Sequence, residues 1–82
     1  MQMLIENAQA MNDANYSKFM AYAAQLRKDK KKREADHVHK QAQQLNRYFY
    51  SVKHTDKTDM ILYYNRQMQV IVQEVSEYIK EA

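Results

Sequence analysis

The chain has 82 residues, with 13 Lys and Arg against 10 Asp and Glu, for a formal net charge of +3. It contains no cysteine, glycine or proline, although average usage would supply about ten of the last two. Disulfides and thiolate metal sites are thereby excluded, as are Gly-rich phosphate loops, Rossmann turns and nucleophile elbows.

The first third is helical in pattern but irregular. Leu4, Ala8 and Met11 make one short face, and Tyr16, Phe19, Met20, Ala23 and Leu26 make another. Between them lie Asn12, Asp13 and Asn15, residues that favour caps and turns over helix interiors. The expectation is a helix over about 2–30 with a break or kink near 12–15. A separate short first helix is the alternative, and it would make four helices in all.

Residues 27–34 read Arg-Lys-Asp-Lys-Lys-Lys-Arg-Glu, with no apolar side chain. The preceding stripe, carried forward, lands on Lys30 and Arg33, whereas the next stripe begins at Ala35. This loss of register predicts a chain reversal. Ala35, Val38, Ala42, Leu45, Phe49 and Val52 then recur at alternating spacings of three and four, which predicts a helix over about 34–53. The polar His54-Thr55-Asp56-Lys57 breaks it. A last helix over about 58–81 follows from Ile61, Tyr64, Met68, Ile71, Val75, Tyr78 and Ala82. Thr55 or Thr58 is placed to cap it, and Asp56 and Asp59 suit its first turn.

The predicted fold is all-α, a single domain over 1–82 built as an antiparallel three-helix bundle. The two clean seams also suit pairing between chains, so a homodimer is among the expectations. The longest apolar run, Met60 to Tyr64, is far shorter than the roughly 20 residues of a membrane span. Residues 1–12 lack the charged start of a signal peptide, and the expected location is cytoplasmic.

The charge is polarised. Residues 1–26 carry −1, residues 27–54 carry +6 and residues 55–82 carry −2. Arg27, Lys28, Lys30, Lys31, Lys32 and Arg33 are the candidate contacts for an anion, whether nucleic acid, an anionic membrane surface in peripheral contact or an acidic protein. A solvated turn accounts for the same run. Tyr50 and Tyr63 fall off the seams and are the candidate contacts for a protein partner.

Metal and catalytic sets are not expected. His37 and His39 sit about 200° apart on a helix and cannot share an ion. Asp36 and His39 are on one face, but two ligands do not make a site. No Ser–His–Asp or Cys–His set is present, no cofactor site is recognisable, and an enzyme is not expected.

Residues 45–79, LNRYFYSVKHTDKTDMILYYNRQMQVIVQEVSEYI, resemble the last two helices of the class II bacteriocin immunity proteins. Those are small, basic, cytoplasmic four-helix bundles. The resemblance implies protection of a producing cell through contact with a sugar-permease receptor. The residues themselves point first to a non-enzymatic regulator or adaptor that binds another protein, and second to a nucleic-acid-binding accessory protein.

Overall fold

A computed structural model describes residues 2–81. Three helices follow one another: α1 (Gln2–Lys28), α2 (Lys32–Lys53) and α3 (Thr58–Glu81). They pack as an all-α three-helix bundle, with no strand among the described residues. Cross-helix pairs give the directions. Arg27 meets Asp36 and Asn12 meets Asn46, so α2 runs back along α1. Tyr48 meets Tyr64 and His37 meets Glu74, so α3 reverses again. The 27 residues of α1 rise about 40 Å at the α-helical pitch, which accounts for the 42 Å long axis.

Residues 12–15 do not interrupt α1, so no fourth helix forms. The two short apolar stripes join through Asn12, which lies between Ala8 and Tyr16 on the face turned inward. Asn12 is buried there and donates its amide to Asn46 Oδ1 at 3.2 Å. Asn15 donates to the Met11 carbonyl one turn back, at 2.8 Å. Both asparagines thus make the side-chain bonds expected of them, but to partners that leave the helix intact.

The second and third helices fall where the spacing puts them, except that α2 starts two residues early, at Lys32. The chain reversal is complete within Asp29–Lys31, and nothing in Lys32-Arg33 opposes helix. Ala35, Val38, Ala42, Leu45, Phe49 and Val52 from α2 close on Ile61, Met68, Ile71 and Val75 from α3. Ala8, Phe19, Ala23 and Leu26 supply the α1 wall of the same core. Ala82, the last position of the expected seam, lies outside the described residues.

Two polar cross-links run through this interior. Asn12 ties α1 to α2, and Asn7 donates to Asn65 Oδ1 at 3.2 Å, tying α1 to α3. Asn65, only 5% exposed, also donates to the Ile61 carbonyl at 2.9 Å. Each link joins one buried asparagine, Asn12 or Asn65, to an exposed one, Asn46 or Asn7, so a slip in register would strand the buried member away from its partner.

In the α2–α3 connection, Thr55 Oγ1 accepts the Lys57 N–H at 3.3 Å. The Lys57 carbonyl receives Met60 and Ile61 N–H, both at 3.1 Å. The carbonyl of Lys57 therefore starts α3. Thr58 is its first helical residue, and Thr55 braces the loop.

No helix among the described residues is long and apolar enough to cross a membrane.

Candidate functional site

The six candidate anion contacts lie in the α1–α2 turn and the two helix ends that flank it, and all six are exposed. Among the described residues only Arg27 of the six has a carboxylate partner, Asp36 Oδ1 at 3.2 Å, with both side chains about half exposed. The turn is a Schellman motif. Lys31 N–H reaches back to the Leu26 carbonyl at 2.9 Å, and Lys30 N–H to the Arg27 carbonyl at 3.0 Å. This closure puts Lys30 in the left-handed region, at φ 63°. Glycine is the usual occupant, because a β-carbon there clashes with the backbone at a cost of about 1 kcal/mol. Lys30→Gly is expected to stabilise the fold by about that amount and to raise Tm by about 4–8 °C. Thermal unfolding followed by circular dichroism reads it, and a lowered Tm would contradict the left-handed assignment.

The start of α2 concentrates the charge further. Lys31, at the cap position, makes no side-chain capping bond, and Lys32 and Arg33 occupy the first helical positions. Cations there face the positive end of the helix dipole. Glu34 alone in that turn has the favourable sign.

The structure adds two cations that the basic run does not contain. Arg33, Lys40 and Arg47 are spaced by seven residues, and all three are exposed. Seven residues are about two turns and about 10.5 Å of rise, so these side chains share the outward face of α2. The signal was legible as a heptad spacing of cations on the polar side of the helix.

The two candidate protein contacts are both exposed but do not share a surface. Tyr63, 48% exposed, lies on the outward face of α3 with Leu62 at 48% and Val70 at 52%. Leu62, Arg66 and Val70 recur every four residues, and Tyr63 flanks them. Tyr63 meets Tyr64 edge-on at 5.6 Å, and Tyr64 packs against Tyr48 at 5.8 Å. Tyr50 sits about 200° from Tyr48 on α2, so it points away from α3. It is 59% exposed and stacks on His54 with ring centroids 4.1 Å apart. Nδ1–H of His54 donates to the Tyr50 carbonyl at 2.8 Å, since a carbonyl can only accept. Lys53 Nζ lies over the rings of Phe49 and Tyr50, at 4.7 and 5.7 Å.

The histidines on α2 separate as their spacing requires. His37 Nε2 approaches Glu74 Oε1 at 3.7 Å, and its ring lies 6.3 Å from that of Tyr78. Tyr22 meets Tyr78 edge-on at 6.5 Å. Lost solvation, and then the neighbouring Glu34 and Tyr22, hold the Tyr78 phenol above its ordinary range. The Tyr22 hydroxyl is buried without a hydrogen-bond partner among the described residues. Asp36 pairs with Arg27 and, among the described residues, not with His39. No group of three metal-binding side chains gathers among the described residues.

Comparison with known proteins gives no match to a family model, to a curated protein or to a solved structure.

Proposed function

We propose that the chain is a non-catalytic helical module that binds another protein through the outward face of α3. The observation that carries this is the clustering of Leu62, Tyr63 and Val70, each about half exposed, within nine residues of one helix. Exposed apolar side chains scattered singly are ordinary, whereas a cluster rimmed by polar groups is the common form of a protein contact. Here Gln73 and Glu77 border the cluster, and Arg66 lies within it between Leu62 and Val70. Val70, Gln73, Glu74 and Glu77 also line a shallow open groove beside it. Tyrosine buries a large rigid surface at small entropic cost and often dominates such contacts.

Capture from the native host's lysate tests this. Wild-type protein should recover a partner in stoichiometric amount, and Tyr63→Ala with Val70→Ser should lose it. Tyr50→Ala, on a different side of the bundle, should retain it. Equal recovery by all three proteins, or recovery of nothing, would count against the α3 face.

A further inference from the structure

We propose that the outward face of α2, together with the turn before it, is a docking surface for a nucleic-acid duplex, held through the phosphate backbone. Arg33, Lys40 and Arg47 stand in single file along this face, with steps of about 10.5 Å and a drift of only about 20° per heptad. Lys30, Lys31 and Lys32 extend the file around one end. The array is therefore a line of positive charge, not a disc.

Among the described residues no ion pair neutralises the α2 part of the line, and at the turn the one carboxylate is Asp29, which accepts from Gln25. Of the two carboxylates between Arg33 and Arg47, Asp36 is engaged by Arg27, and Glu34 lies beside Tyr78 on the α3 side. No carboxylate of the described residues comes within ion-pair distance of Arg33, Lys40 or Arg47. At the start of α2, Lys32 and Arg33 are set against the helix dipole, whereas Arg27 and Lys28 lie at the favourable end of α1, and Lys30 is held against its backbone preference. A bound polyanion relieves the electrostatic part of that conflict.

The side chains also say what kind of polyanion fits. Between Arg33 and Arg47 the file contains no Phe, Tyr or Trp, and the exposed Tyr50–His54 stack offers a single platform past its far end, whereas single-strand sites stack successive bases along the cationic track. Nor does the outward face between Arg33 and Arg47 offer an apolar group to insert into a bilayer, and a polybasic segment without such an anchor is held to lipid only weakly. A duplex is itself a line, with one charge per about 1.7 Å of axis, and it gives up counterions to a matching row of cations. Contact through phosphates alone positions the protein without reading sequence. This surface lies on a different helix from the proposed protein contact, so either can fail without the other.

The test is fluorescence anisotropy of a labelled DNA duplex of mixed sequence, titrated with the full chain across a range of salt. Five or six phosphate contacts predict a slope of log K against log salt near about −5, or about a thousandfold loss of affinity between about 50 and about 200 mM. Lys40→Gln with Arg47→Gln should make the slope shallower by about 1.8 and weaken binding at intermediate salt by about tenfold or more. Lys40→Arg with Arg47→Lys keeps the charge and should restore the wild-type slope. Circular dichroism of each variant confirms the fold, since both positions are exposed. Absence of duplex binding at low salt overturns the proposal, as does a slope unchanged by the Gln pair. Tighter binding to phosphatidylserine vesicles than to the duplex at matched salt also overturns it, and would assign the stripe to a membrane surface.

Discussion

Replacing Phe19 by Ala should destabilise the bundle by about 3–5 kcal/mol, the usual range for removing a buried aromatic ring. Total stability of an 82-residue domain is expected at about 4–12 kcal/mol, so a quarter or more of it would disappear. The reason lies in the composition of the α1 seam. Its other buried apolar residues are Ala8, Ala23 and Leu26, and Phe19 is the one large α1 side chain with no exposure. Alanines bring the helices close but have no side-chain atoms that could swing into the cavity. Leu4, Ile5, Met11 and Met20 pack only against the margin of the core. Urea unfolding followed by helical ellipticity gives the value. A loss below about 1 kcal/mol would place Phe19 outside the core, because surface changes stay in that range.

Asn65→Asp should be nearly as damaging, and its cost should depend on pH. The substitution preserves shape but replaces a donor with an oxygen. At neutral pH the introduced carboxylate would keep the bond from Asn7 and turn a negative oxygen toward the Ile61 carbonyl. The site is 5% exposed, and no cation is among its hydrogen-bond partners. Stranding a charge in such a place costs about 3 kcal/mol or more. Protonation restores a donor that can serve the Ile61 carbonyl. The folded-state pKa of the introduced group must therefore rise above its unfolded value of about 3.9. Stability is then retained below the unfolded pKa and lost as pH climbs through the folded one. Denaturant midpoints of the variant and wild type should converge near pH 4 and separate by pH 7. A constant gap across that range would remove Asn65 from the interior.

The make-up of the α1 seam also explains why α1 was the hardest part of the fold to read from sequence. The α2 and α3 seams consist of apolar side chains at alternating three- and four-residue steps, and a helix buried along its length leaves that pattern directly. In α1 one seam position is Asn12 and two are alanines, so a single continuous face reads as two fragments with turn-forming residues between them. Only the partner in space, Asn46, shows that Asn12 belongs inside, while Asn7, exposed itself, reaches the buried Asn65. Local propensity gave way to a tertiary contact.

The turn shows the opposite balance. Loss of register across residues 27–34 located the reversal, because two helices packed on one core need not share a phase. The left-handed residue was not legible. Glycine is its usual marker, the chain has none, and Lys30 takes the position instead. Composition drew attention to the dense run 27–33, while Lys40 and Arg47, isolated in sequence, become its continuation only when α2 is wound. The exposure of Tyr50 and Tyr63 followed from their off-seam positions. Their separation onto different sides of the bundle depended on Tyr48 packing against Tyr64, a contact that spacing alone does not supply.

The proposed role turns on whether the outward face of α3 meets a protein in the cell. A photoreactive phenylalanine analogue placed at position 63 or position 70, in cells that naturally express the chain, reports this directly. The same analogue at Gln43 on α2 serves as the reference. The expected result is a discrete protein adduct of one mass from positions 63 and 70, with none from position 43. Adducts of equal yield from all three positions, or none from either α3 position, would contradict a partner-binding face on α3.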